Sequence, residues 1–244
     1  MGGTKDSKII GKKIKENFKD SFIVYTSITS YGGELAKDFA DLIIDKPLDL
    51  EGLKKALKEN KINILLDSTH PFAINASKNA ILACQELNIK YIRFERKIEK
   101  IEHRDVLYFK DFDEALKEAK KYNRVFYTAG IKNLEKVVDA LGRDKVVARV
   151  LPISVGEALK LLPQKNIVAM YGTFSKELNK YLIKDYGCDA IITKESGDFG
   201  GFKEKVLGAI EAKAKVLVIE RPKIRYPIYF NGINELIKYL KTIF

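Results

Sequence analysis

Histidine and cysteine each occur only twice in 244 residues, and no apolar run approaches the ~20 residues that a membrane span needs. Cys84 and Cys188 form no C-x-x-C pair, and neither H-E-x-x-H nor any paired Cys/His spacing is present, so no metal site is expected. Two widely separated cysteines read as free thiols of a cytoplasmic protein. The opening MGGTKDSK lacks the apolar core of a signal peptide. No G-x-S-x-G elbow marks a hydrolase. No P-loop G-x-x-x-x-G-K-[ST] occurs, and no full G-x-G-x-x-G. No tyrosine is followed four residues later by lysine, which excludes the Tyr/Lys pair of short-chain dehydrogenases.

Acidic residues are also scarce, and unevenly so. Residues 1–122 carry 23 Lys/Arg against 20 Asp/Glu, whereas residues 123–244 carry 21 against 13. The net charge of +11 therefore sits mostly in the second half. Such an excess favours anionic partners such as phosphorylated cofactors or polycarboxylates. Basic clusters interleaved with aromatics are absent, so nucleic acid is not expected as a partner.

What is present is alternation. Short Ile/Val-rich runs at 22–25, 42–44, 62–66, 90–94, 106–109, 124–127, 145–149, 166–170, 190–193 and 215–219 read as strands. Amphipathic stretches between them read as helices: 5–17, 50–59, 72–87, 112–121, 134–141, 155–162, 175–186, 202–213 and 233–242. The runs are continuous rather than alternating, as in strands buried on both faces of a parallel sheet. The charged segment 95–104 reads as a connector between domains 1–104 and 105–244. The run 106–109 reads as an edge strand of the second domain. The expected architecture is α/β: two Rossmann-like parallel-sheet domains with a cleft between them.

Candidate sites fall where strands give way to helices. The run ending at Leu66 stops at Asp67, then Thr69, His70 and Pro71 lead into a helix. Pro71 suits a first helical position, Thr69 or His70 its cap, and Asp67 can orient either. Gly2, Gly3 and Thr4 precede a helical pattern and suit a phosphate, although no strand comes before them, so the chain is expected to start late or with a very short strand. Ser27 and Thr29 belong to a second turn that lacks both the acid of an NAD fingerprint and an arginine for a 2′-phosphate. In the second half, Thr128–Gly130, the MYGTFS turn with Tyr171, and TKESGDFGG with Lys194, Ser196 and Gly197 form comparable junctions. Three such turns at corresponding strand ends would line one edge of a sheet.

Together these motifs resemble the precorrin-6A reductase family, which has a cobalt-precorrin-6A form. The resemblance runs through GGT, DSTHPFA with SKNA and AC behind it, YIRFER, Thr128–Gly130, MYGTFSKELN, TKESGDFGG and the ERP at 220–222. It departs in the missing first strand, in Tyr171 where glutamine is common, and in the absent arginine of the second turn. The resemblance implies NADPH or NADH as cosubstrate, a polycarboxylate tetrapyrrole substrate, and reduction of one macrocycle double bond to give (cobalt-)precorrin-6B. On this basis Gly2, Gly3, Thr4, Ser27, Thr29, Thr69 and Pro71 are expected at the cofactor. Lys194, Ser196 and Gly197 are expected at the substrate, and His70 or Tyr171 as proton donor. The rivals are another two-domain NAD(P)-dependent reductase and a non-catalytic nucleotide or tetrapyrrole binder.

Overall fold

The computed structural model describes all residues except 29, 96–99, 198–199 and 244. Contacts divide the chain into two compact units. Unit 1 is Met1–Lys97 with Pro222–Phe244, and unit 2 is Ile98–Arg221. The second domain expected over 105–244 is therefore corrected: the last 23 residues return to unit 1.

Unit 1 begins with α1 (Lys5–Asn17), then β1 (Val24–Thr26), α2 (Ser30–Glu34), β2 (Leu42–Ile44) and α3 (Leu50–Glu59). It continues with β3 (Ile64–Asp67), α4 (Ile74–Leu87) and β4 (Lys90–Phe94). β1 and β2 pair in parallel, as do β3 and β4. Met1 and Gly2 lie between the two pairs: the Met1 nitrogen donates to Leu66 O at 2.8 Å, Ser68 N–H to Met1 O, and Gly2 N–H to Thr26 O. The spatial order is thus β2, β1, residues 1–2, β3, β4. Connections run one way from residues 1–2 and the other way from β3, so the direction switches between Gly2 and β3. A ligand crevice forms at such a switch, outside the carboxyl ends of the strands.

Unit 2 comprises β5 (Val106–Phe109), α5 (Phe112–Ala119), β6 (Val125–Tyr127), α6 (Leu134–Leu141), β7 (Val146–Val150) and α7 (Val155–Leu161). β8 (Ile167–Ala169), α8 (Lys176–Asp185), β9 (Ala190–Lys194), α9 (Phe202–Glu211) and β10 (Lys215–Ile219) complete it. All pairings are parallel, in the order β5-β10-β9-β6-β7-β8. β5 is an edge strand, as its sequence position suggests. Here the direction switches between β6 and β9. Phe126, Val147, Ile191 and Val216 share one face with Ile183 of α8 and Phe202 and Val206 of α9. Their burial drives this layer together.

The chain then re-enters unit 1. β11 (Tyr229–Phe230) pairs in parallel with β4, and α10 (Ile233–Leu240) brings Leu236, Ile237 and Leu240 against Ile10 of α1 and Ile92 of β4. α3 and α4 cover the opposite side through Leu53, Leu57, Leu65 and Ala83.

α8 and α9 approach closely at Gly208. A Cβ there would stand 2.6 Å from Lys176 O and 3.0 Å from Lys180 N, both backbone atoms. Backbone cannot swing aside as a side-chain tip can. Gly208→Ala is expected to cost about 1–3 kcal/mol by overpacking, more than the helix propensity gained. Urea denaturation checks it, and an unchanged midpoint would show that the helices separate without cost.

Candidate active site

At the switch point of unit 1 a cavity of about 250 Å³ is lined by Gly2, Gly3, Thr26, Ser27, Ile28, Lys46, Thr69, His70 and Asn79, among others. The structure therefore brings five expected residues to one place: Gly2, Gly3, Ser27, Thr69 and His70. A second cavity, about 150 Å³ and largely apolar, is lined by Ile10, Val24, Leu57 and Leu65, with no lysine or arginine side chain among its described lining residues.

Local chemistry explains the shape. A Cβ on Gly2 would run into the Tyr25 ring. The Tyr25 hydroxyl accepts from Gly3 N–H at 2.6 Å and meets Ser7 Oγ at 2.7 Å. Thr4 caps α1: Ser7 N–H donates to Thr4 Oγ1 at 3.1 Å, and Thr4 Oγ1 donates to Ser68 O at 3.0 Å. The amides of Gly2 and Gly3 and the hydroxyl of Thr4 are thus already bonded within the fold. They shape the cavity wall more than they offer donors. Ser27 is buried, and its N–H donates to Ile44 O. Thr29 lies outside the described residues.

The turn after β3 is clamped from below. Arg93 and Asp67 are both fully buried, with Nη1 2.9 Å from Oδ1. Arg93 also donates to Thr69 Oγ1, Thr69 O and Glu95 Oε2. Asp67 accepts from Thr69 N–H and Oγ1 on one oxygen, and from Ser77 Oγ and Tyr91 Oη on the other. Burial alone would raise the Asp67 carboxyl; the Arg93 guanidinium and the Ser77 and Thr69 hydrogen bonds outweigh it and hold it below the usual range. Asp67 therefore orients Thr69 rather than His70.

The expected helix start is corrected. Ala73 N–H donates to His70 O, closing a turn, and α4 begins at Ile74 with Ala73 as an uncapped N-cap. Pro71 sits in that turn, not at a first helical position, and neither Thr69 nor His70 caps the helix. The turn exposes His70, whose Nδ1 accepts from Phe72 N–H at 3.2 Å. A neutral imidazole held this way carries its proton on Nε2.

In unit 2 the ends of β6 and β9 flank the switch point. Lys194 ends β9 with Nζ 5.6 Å from the Phe112 ring centre. Burial pushes its ammonium down to about 8, and Lys132 adds to the effect. The Ser196 hydroxyl is buried and has no hydrogen-bond partner among the described residues. Arg221 secures this loop by donating from Nε to Glu195 O and from N–H to Glu195 Oε2. A Cβ on Gly197 would meet Arg221 Nη2. Gly201 lies against Thr173, so the β8–α8 and β9–α9 junctions adjoin. Tyr171, in the first of these, is 53 % exposed.

Sequence reasoning missed Lys46, Arg93 as the clamp, the half-buried Arg149 and the buried Lys205. Lys46 sits in an ordinary loop, and Arg149 and Lys205 interrupt otherwise regular elements without any motif around them. Among the described residues no group of three or more His, Cys, Asp or Glu suits a metal ion, and no helix is long and apolar enough to cross a membrane.

The family profile described as precorrin-6x reductase CbiJ/CobK matches residues 1–241. The chain is 67% identical over 243 residues to a cobalt-precorrin-6A reductase of Methanocaldococcus jannaschii, covering 100% of this chain and 97% of the relative. It is 50% identical to one of Methanococcus maripaludis, covering 99% and 98%. A solved structure titled CobK precorrin-6A reductase superposes with a TM-score of 0.78 at 19% identity, over 98% of this chain and 93% of that one. That likeness supports the fold, while the match along nearly the whole sequence establishes the kinship: the chain belongs to the precorrin-6x reductase family.

Proposed function

We propose that this chain is an oxidoreductase that reduces one double bond of the cobalt-precorrin-6A macrocycle with a reduced nicotinamide dinucleotide. The observation that carries the reading is the unit 1 cavity, where residues from three separate turns converge at a switch point. Its hydroxyls, lysine and apolar wall suit a nucleotide. The cosubstrate supplies a hydride to one carbon of a conjugated C=C–C=N unit. The chain's task is to hold the reactants, exclude competing reactions and place a proton donor at the other carbon. His70 and Tyr171 are the candidate donors, and Lys194, Ser196 and Gly197 the candidate anchors for substrate carboxylates.

NADPH suits the cavity better than NADH. Lys46 lines it and, among the described residues, no carboxylate does, so a 2′-phosphate meets a cation rather than an acid. NADPH should be oxidised only when the macrocycle is present. Lys46→Ala is expected to lower kcat/KM for NADPH about tenfold, the weight of one charge-assisted contact, and to spare NADH. Equal losses with both nucleotides would place Lys46 away from the 2′-phosphate. Nucleotide binding without oxidation, with either the cobalt or the metal-free macrocycle, would favour the non-catalytic binder.

A further inference from the structure

Unit 2 holds a buried lysine, Lys205, and a half-buried arginine, Arg149, and among the described residues no carboxylate forms an ion pair with either. Arg149 of β7 points to the α8–α9 side of the sheet, two residues on from the core residue Val147. Its guanidinium lies 5.0 Å from the Phe174 ring centre and 5.8 Å from that of Phe126, and Nη1 donates to the neutral Asn179 Oδ1 at 2.8 Å. Lys205, on the first turns of α9, is 6 % exposed, and its ammonium makes no hydrogen bond or ion pair among the described residues. On the same face, two residues on from Ile191, Thr193 is fully buried, and its hydroxyl has no hydrogen-bond partner among the described residues. β6 stands between β7 and β9, so Arg149 and Thr193 flank the end of β6 at one level of the sheet.

These groups sense each other. Burial above all, together with Arg149 and Lys194 and opposed by Glu204, takes Lys205 down to about 7. Burial likewise takes Arg149 down to about 10. Among the described residues, three cations against one carboxylate, at the carboxyl edge of a sheet and beside a helix N-terminus, is an arrangement that favours an anion. A methionine at 205 would pack without the desolvation cost, so the ammonium needs a reason beyond the fold.

We propose that Arg149, Lys205 and the Thr193 hydroxyl form an oxyanion site that takes one carboxylate of the substrate or one phosphate of the cosubstrate. The source of the anion rests on the reductase reading, whereas the site itself does not. The test is therefore made without macrocycle or nucleotide. The whole protein is titrated with tricarballylate and with inorganic phosphate at constant ionic strength set by chloride, and thermal unfolding is followed. The wild type should gain several degrees with one of them, and that one identifies the source as carboxylate or phosphate. Lys205→Met should be at least as stable as wild type without the anion and should bind it at least tenfold more weakly. Where that variant fails to fold, NMR of the lysine ammonium groups in the wild type serves instead: the Lys205 titration must move up when the anion is added. No shift with either anion, or an equal gain in Lys205→Met, overturns the site while leaving the reductase reading intact. Absence of turnover with anion binding retained overturns the reductase reading and leaves the site.

Discussion

Arg93→Met is expected to destabilise unit 1 by about 3–5 kcal/mol, the range for removing one partner of a buried ion pair. The size follows from what is stranded. Asp67 is fully buried and would lose its ion-pair partner, and Thr69 O and Glu95 would lose donors at the same time. Arg93 also stacks 5.3 Å from the Tyr226 ring, and its backbone N–H donates to Ile228 O. The substitution should therefore loosen the returning segment around β11 as well as the turn that carries Thr69 and His70. Urea unfolding should show the loss, and adding Asp67→Asn should recover part of it because the uncompensated charge is gone. The pH dependence has a definite sign. The Asp67 carboxyl is depressed in the folded protein, so its stabilisation is complete above the ordinary carboxylate value of about 3.9 and is lost as pH falls through the folded value. Without Arg93 that depression disappears, so the gap between variant and wild type should narrow in acid. A constant gap down to the acid transition would show that Arg93 stabilises by packing alone.

The clamp also shows what the sequence could disclose. Asp67 and Thr69 stand two residues apart at a strand end, and their link is local enough to anticipate. Arg93 is 26 residues away, inside a strand, and only the parallel register that sets Asp67 opposite Arg93 brings them together. The strands at 90–94, 106–109 and 215–219 and the helices at 5–17, 50–59 and 134–141 keep their expected bounds, because each combines a strong period with clear end signals. β11 was hidden: two residues long, it follows a stretch with two prolines and gets its identity from β4 rather than from its own pattern. The return of 222–244 was hidden for the same reason, since contact with α1 and β4 is a tertiary fact. The convergence of Gly2, Gly3, Ser27, Thr69 and His70 was legible as a set of strand ends. Lys46 was not, because a lone exposed lysine after a strand carries no signal until the cavity is seen.

His70→Ala is expected to lower kcat of the proposed reduction by about 100-fold, the lower end of what a positioned general acid contributes. Two observations favour His70 over Tyr171 as the donor. It lines the unit 1 cavity, together with Thr69, while Tyr171 belongs to unit 2 and is not among the residues lining it. The carbonyl of His70 also closes the turn before α4, and the preceding residue is fixed by the Asp67–Arg93 pair, so the imidazole is carried on a rigid support. A donor acting only in the transition state should alter kcat and kcat/KM together, with little change in NADPH binding. His70→Gln tests placement against proton transfer: it fills similar space and donates a hydrogen bond but cannot deliver a proton, so it should stay as slow as His70→Ala. Recovery in His70→Gln would reduce His70 to a positioning residue. Full activity in both His70 variants, with loss in Tyr171→Phe, would move the proton to the tyrosine. Full activity in all three would leave protonation to solvent, and the chain's contribution would then be the alignment of hydride donor and macrocycle.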